Sequence, residues 1–467
     1  MSHATRLDMT EGPLFGSMVR FILPLILTNL LQVLYNVADS VIMGLSSEPD
    51  AVGAIGTTTV MINLIVNVFI GCSVGAKVTV ARCIGEKDPD AVGAAVHTAV
   101  AVGALFGTLC AVVGFSVSRA VLVAMGNSGR LLTLATTYAR LCFLGAPFIA
   151  LTNFAIAVLQ AEGDTRTPLW ALGCAGLFNV LSSFFFVIVC GMSVEGAAAG
   201  TVLSNALSAV WLLAHLARDR GSVCHLVLRR IRLDKRAFLS ILHIGVPAAV
   251  QGALFSLSHL VIQSSIVAVE HTTVPPGSAY QPVIKGNTAA TAIESFGSTM
   301  VGAVGQAALT FVGQNASAGK EERVRAVRRL SYLLAVCLCV LFTAIALLFS
   351  APLLSLWGIG RDGDALDGIA YDAAVTRMLC MFVPYFLLGC MEVGSGVMQG
   401  LGRSVTSTVV SLTGSVVFRL LWIAVVFRAC PTLVVVYLSY PITWFLTAAA
   451  HWLCGQYALR RTFPVME

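Results

Sequence analysis

Twelve stretches of this chain are apolar over lengths that cross a bilayer, and no other feature limits its possible folds so severely. A helix needs about 20 predominantly apolar residues to span about 30 Å of hydrocarbon. The stretches run over 19–44, 52–81, 91–116, 131–158, 168–190, 196–216, 238–269, 287–315, 330–351, 372–398, 405–427 and 432–457. Of the 467 residues 11% are charged and 57% hydrophobic. An ordinary soluble protein carries about 25% charge. So few charges cannot cover so much apolar surface in water. The predicted fold class is all-α and polytopic, with twelve transmembrane helices. A soluble enzyme and a nucleic-acid-binding chain are both excluded. The 13 Cys lie mostly alone in apolar stretches, with no CxxC pair, and read as small packing residues.

The loops carry an orientation signal. Of the 29 Lys and Arg, only Arg119, Arg130, Lys285, Arg361 and Arg428 fall on one side of the predicted spans. Lys77, Arg140, Arg377 and Arg419 lie inside spans, and the remaining 20 sit on the other side. Positive residues mark the cytoplasmic side, so both termini are expected there. The basic excess is topogenic and requires no nucleic acid. The first span begins too deep, and runs too long, for a cleaved signal peptide.

The longest and most basic loop divides the chain into a six-helix lobe over 1–216, a cytoplasmic linker over 217–237 and a second six-helix lobe over 238–467. The halves resemble each other. Phe21-Ile-Leu-Pro24 parallels Ile244-Gly-Val-Pro247, Ala81-Arg82-Cys-Ile-Gly85 parallels Gly313-Gln314-Asn-Ala-Ser317, and Val158-Leu-Gln160 parallels Val397-Met-Gln399. An even number of spans per half makes both halves face the same way, which implies a pseudo-two-fold axis along the membrane normal. Duplications of this kind are built for alternating access.

A charged group inside a span costs a few kcal/mol and requires a reason. In the first span Gln32, Tyr35 and Asp39 share a helical face, with Asn36 beside them. A carboxylate there can load and release a proton or bind Na⁺ through oxygen. In the fifth span Asn179 and Ser183 share a face, and Thr201 near the start of the sixth is placed to approach them, completing an oxygen cage with Asp39. The other reading of these Asn and Ser residues is helix–helix adhesion. Glu294 and Glu392 in the second half can bind a cationic substrate or pair with Arg377 or Arg419. His259 falls near the repeat position of Asn36 to Asp39 and can change charge near neutral pH; packing is its other reading. Pro24 is expected to break the first helix. No P-loop, Ser/His/Asp constellation or metal-ligand cluster is present, so neither ATP drive nor enzymatic hydrolysis is expected, and no cofactor beyond a coupling ion.

Several motifs in order carry a resemblance: Glu11-Gly-Pro-Leu-Phe, Leu23-Pro24, and Gln32, Tyr35, Asp39 and Gly44 in the first span, followed by Gly196-Ala-Ala-Ala-Gly-Thr201, Phe311-Val-Gly-Gln314-Asn315, Gln399-Gly-Leu-Gly402 and Arg419-Leu-Leu-Trp422. From about residue 11 to 457 the chain resembles multidrug and toxic compound extrusion (MATE) transporters. The resemblance implies two six-helix lobes around a central cavity, and export of drugs and organic cations across the plasma membrane in exchange for H⁺ or Na⁺. It implies ion coupling at Asp39, Asn179, Thr201 and Ser183, with Na⁺ possible at Asp39 and Asn179. It makes Gln32, Tyr35, Asn36, His259, Glu294 and Glu392 candidates to line the cavity. The family's span-one acid matches Asp39 and its span-five Asn matches Asn179. Many members carry an acid or Asn where this chain has Ser183, and span seven lacks the central Glu of some relatives. Expected partners are cationic or lipophilic small molecules and the bilayer, with the protein a monomer. The alternative is a flippase for a lipid-linked saccharide or other amphiphile.

Overall fold

A computed structural model describes residues 8–44, 51–124, 127–273, 281–360 and 365–463. The helices in chain order are α1 (Leu14–Gly44), α2 (Ala51–Gly85), α3 (Pro89–Ala124), α4 (Gly129–Leu144), α5 (Ala146–Glu162), α6 (Arg166–Phe184), α7 (Val194–Arg218), α8 (Lys235–Thr273), α9 (Pro282–Ser317), α10 (Glu321–Leu348), α11 (Ser350–Ser355), α12 (Ala365–Phe382), α13 (Phe386–Gly400), α14 (Ser404–Ser411), α15 (Phe418–Trp422) and α16 (Leu433–Thr462). No strand occurs among the described residues. Ten helices or helix runs are long and apolar enough to cross a membrane, and twelve spans result when each of two bent pairs counts as one.

The bends correct the expectation of unbroken spans over 131–158 and 372–398. α4 meets α5 at 44° and α12 meets α13 at 49°. Pro147 follows the first break and Pro384 lies in the second. Proline lacks an N–H and clashes with the preceding turn, so an apolar run that continues in sequence need not continue as one helix. Pro24 does the opposite of what was expected. α1 runs through it without interruption, and the Thr28 hydroxyl donates 2.8 Å to the Pro24 carbonyl. Pro247 is likewise internal to α8. A third departure is π-helical winding, with one extra residue per turn, over Phe185–Val189, Leu412–Val417 and Ile423–Phe427. It falls in the fifth span of each half and carries no apolar-length signal.

The chain forms two compact units, 1–252 and 253–467, with the division inside α8. In the first unit Ala76 and Val80 of α2, Val96 and Ala99 of α3 and Phe154 and Val158 of α5 share a buried core. The first half of α8 belongs to this unit because glycines let it approach α2 closely: a methyl group on Gly245 would lie 2.7 Å from the Cys72 carbonyl oxygen. The basic loop folds onto the same unit. Ser222 donates to Glu162 at 2.7 Å, the Val227 amide donates to His97 Nε2 at 3.1 Å, and the Asp234 amide donates to Thr98 at 3.0 Å. Asp88 and Asp164 accept the first amides of α3 and α6, so the short turns are capped by carboxylates.

In the second unit Ile293, Met378, Met381, Phe382, Tyr385 and Trp444 centre the core. α9 and α13 meet along a glycine seam. An added methyl group on Gly396 would strike the Gly305 carbonyl oxygen, and one on Gly400 would lie 2.6 Å from that of Leu309. Membrane helices lacking a hydrophobic drive associate through such close backbone contact. Gly396→Val is therefore expected to destabilise the protein by about 1–3 kcal/mol, as overpacking does. The unfolding midpoint in detergent measures it; an unchanged midpoint would show that the seam yields. Many outward-facing positions among the described residues are apolar, Leu181, Val112 and Leu348 among them. A bilayer satisfies that surface and water does not.

Candidate functional site

The first unit gathers three of the predicted oxygen-bearing side chains. Asn179 and Ser183 stand one turn apart on α6, both buried, and Ser183 lies two residues before the first π-helical segment. From α7, the Thr201 hydroxyl accepts from Asn179 Nδ2 at 3.4 Å and donates to the Ala197 carbonyl at 3.0 Å. Gly200, next to Thr201, permits the approach; a methyl group there would lie 2.7 Å from Ser183 Oγ. Ser183 Oγ itself has no hydrogen-bond partner among the described residues. Asn179, Ser183 and Thr201 thus lie together where α6 winds out of regular α geometry, with the Asn179 amide nitrogen and not its oxygen turned to Thr201.

α1 is fastened beside this cluster by Tyr35. Its ring lies over Gly176, where any larger residue would collide, and its hydroxyl donates 2.9 Å to the Gly173 carbonyl. Asp39 is four residues beyond Tyr35 on α1, and Asn179 is three beyond Gly176 on α6. Both are odd-numbered spans and run in the same direction, so each step advances about one turn, roughly 4.5–6 Å. The backbone of Asp39 therefore comes level with Asn179. The side chains of Asn36 and Asp39 lie outside the described residues. Gln32 is exposed.

The second unit holds a different assembly. Arg377 of α12 forms an ion pair with Glu294 of α9 at 2.6 Å and donates to Asn287 Oδ1 at 2.7 Å. Tyr437 of α16 donates to the same Asn287 oxygen at 3.2 Å. Tyr385 donates to the Glu294 carbonyl at 3.2 Å. Arg419, between two π-helical segments, is buried; it donates to Thr443 at 3.0 Å and lies 4.1 Å above the Tyr440 ring. His259 meets the Tyr440 hydroxyl at 3.4 Å through Nδ1. Of the two readings open for Glu294, the structure shows the pair with Arg377. Glu392, half-buried on α13, makes no hydrogen bond or ion pair among the described residues. It does not join the Glu294 assembly.

The sequence offers Arg377 and Arg419 as charges inside spans and as pairing partners for Glu294 or Glu392, but gives no role to Asn287, Tyr437, Tyr440 and Trp444. A signal was present: Asn287 and Glu294 share a face of α9 at i, i+7, and Tyr437, Tyr440 and Trp444 share one of α16 at i, i+3, i+7. Shifting Asn179 by the repeat offset of Gln160 and Gln399 lands one residue before Arg419. Among the described residues no group of three or more His, Cys, Asp or Glu is placed to hold a metal ion.

Known proteins resemble this chain in sequence and in fold. The MatE family model matches residues 24–185 and 284–425. The "Probable multidrug resistance protein YoeA" of Bacillus subtilis (strain 168) is 25% identical over 411 residues, covering 86% of this chain and 85% of its own. Two solved structures share the fold at a TM-score of 0.88. One, "Crystal structure of MATE in complex with MaL6", is 20% identical over 98% of this chain and 99% of its own. The other, "Outward-facing conformation of a multidrug resistance MATE family transporter of the MOP superfamily", is 19% identical over 100% of both chains.

Proposed function

The chain belongs to the MatE family of multidrug and toxic compound extrusion transporters, and from that premise we propose that it is a secondary antiporter exporting drugs and organic cations across the plasma membrane in exchange for H⁺. The observation that carries the coupling reading is the cluster of buried Asn179 and Ser183 with half-buried Thr201, beside the helix that bears Asp39. H⁺ is favoured over Na⁺ because Ser183 adds no second carboxylate to the cage. Neutral oxygens suffice to steady one acid that gains and loses a proton, whereas a desolvated Na⁺ gains from each further negative ligand. Alternating access then works by population shift, with the ion and the drug favouring different states of one protein.

Glu392 is proposed as the cation-selective contact. It is the intramembrane acid of the second unit that Arg377 does not neutralise, and a charge-assisted contact serves a cation and not a neutral ligand. The test is efflux of a cationic and a neutral dye from proteoliposomes, under an imposed pH gradient and separately under a Na⁺ gradient. Expected is efflux with the pH gradient alone, and Glu392→Gln should slow the cationic dye several-fold more than the neutral one. Efflux driven only by Na⁺ would overturn the ion assignment, and equal losses for both dyes would overturn the role of Glu392.

Both termini and the basic loop are proposed to face the cytoplasm, from the charge asymmetry between loops. In a variant whose exposed native cysteines, Cys190 and Cys430 among them, are replaced, a cysteine placed at the exposed Arg229 should react with an impermeant maleimide only after cells are opened. Labelling of intact cells would reverse the orientation. A second reading has one observation in its favour: Arg377 and Arg419 place two buried cations against the single carboxylate of Glu294. That excess suits an anionic head group, as a flippase for a lipid-linked saccharide would need. Uptake of such a lipid, with no dye efflux under either gradient, would decide for it.

A further inference from the structure

We infer that the second unit carries a binding groove for an anionic phospholipid, separate from the polar clusters described above. A cavity of about 540 Å³ lies between α10, α13 and α16, within the range of small-molecule sites. Its α16 wall is one stripe at i, i+3, i+4 and i+7: Phe445, Ala448, Ala449 and Trp452. The two alanines form the recess, and the two aromatic rings stand at its ends. Phe445 is 58% exposed and Trp452 50% exposed, so the groove opens sideways to the surroundings of the helix bundle.

Charge selects the occupant. Arg328 and Arg329 line the groove together with Tyr332. The neighbouring Arg325 is neutralised by Glu321 at 2.6 Å, but neither Arg328 nor Arg329 makes an ion pair or hydrogen bond among the described residues. Two uncompensated guanidinium groups thus sit at one end of an apolar slot. The depth is also right. Arg328 is seven residues into α10, and Trp452 is ten residues before the end of α16, whose last turn holds Arg460 and Arg461. Both ends lie on the side that carries the positive loops, where aromatic belts and basic pockets meet head groups. A phosphate between the two arginines, with an acyl chain running past Ala448 and Ala449 to Phe445, satisfies each of these groups. A zwitterionic lipid brings its own cation to the same arginines and fits less well. The leaflet assignment rests on the cytoplasmic orientation proposed above; the binding does not.

The test uses the full chain in nanodiscs of phosphatidylcholine with increasing brominated phosphatidylglycerol, and brominated phosphatidylcholine as the control. Bromine on the acyl chains quenches the Trp452 component of fluorescence, identified by difference from Trp452→Phe. Expected is quenching by phosphatidylglycerol at about tenfold lower mole fraction, a preference of the size two basic contacts supply. Arg328→Gln/Arg329→Gln should abolish the preference, and Arg328→Lys/Arg329→Lys should keep most of it. Filling the recess with Ala448→Leu/Ala449→Leu should remove quenching while leaving the charges in place, which keeps the test decisive if the Gln variant fails to fold. Equal quenching by the two lipids, or a preference that survives in a folded Gln variant, would overturn the site. Displacement by inorganic phosphate would assign the groove to a soluble anion instead and overturn the lipid reading. No transport is measured, so failure here leaves the antiport reading standing, and loss of antiport leaves this one.

Discussion

Asp39→Asn is expected to reduce gradient-driven efflux to the rate of protein-free liposomes, a loss of at least about tenfold, or ~1.4 kcal/mol of rate barrier. The argument is by occupancy. Two carboxylates near the membrane ends of the first unit are committed: the Ser222 hydroxyl lies within hydrogen-bond distance of both Glu162 oxygens, and Asp164 caps α6. Asp39 is the acid left within the spans of that unit, and its helix is held level with Asn179 by Tyr35. An amide has nearly the size of a carboxyl group and imitates its protonated form permanently. The variant should therefore insert, fold and bind dye, yet have no charge to discharge on the far side. Dye efflux under imposed pH and Na⁺ gradients measures this, with helix content by circular dichroism as the control. If the Asn variant pumps at the wild-type rate under either gradient, coupling resides elsewhere, and the second unit becomes the place to look.

Arg377→Met is the second large effect. Its guanidinium is nearly enclosed, with 6% of its side chain exposed against 14% for Glu294. Removing one partner leaves a carboxylate in an apolar bundle, which costs about 3–5 kcal/mol where a buried pair is broken. Asn287 loses its shortest donor at the same time. For a unit of this size the apparent unfolding midpoint should fall by roughly 6–20 °C. The double variant Arg377→Met/Glu294→Gln removes both charges and should recover most of that loss, because the penalty belongs to the unpaired charge and not to the missing attraction. Detergent-solubilised protein followed by thermal unfolding gives the answer. Equal, mild shifts for the single and double variants would show that Glu294 is not bound to Arg377 in solution and stands free to meet a substrate.

Much of this was legible in the chain, and for identifiable reasons. Span number and grouping follow from apolar length and from the run of arginines around 218–236, both of which are local properties. The convergence of Asn179 and Ser183 with Thr201 follows from helical spacing plus a short turn between neighbouring spans. The bends at Gly145 and Pro384 were not read, because an apolar run continues through them and length alone does not register direction. Pro24 misled in the other direction: a lone proline need not end a long helix, and α1 continues through it, with Thr28 one turn later bonding to the Pro24 carbonyl. The arginine–tyrosine assembly required knowledge of which faces of α9, α12 and α16 meet. Asn287 and Tyr437 are 150 residues apart, and no local pattern specifies that meeting.

The division of the chain inside α8 has a consequence for anyone who cuts the gene in two. The loop over 217–237 looks like the natural place, since it separates six spans from six. A cut there would give the second fragment a helix whose first half is housed in the first unit, seated on α2 where Gly245 faces Cys72. The first fragment would be left with an open slot, and the second with an unhoused half-helix. Fragment complementation would then amount to refilling that slot, and the two pieces would depend on each other for stability as well as for activity.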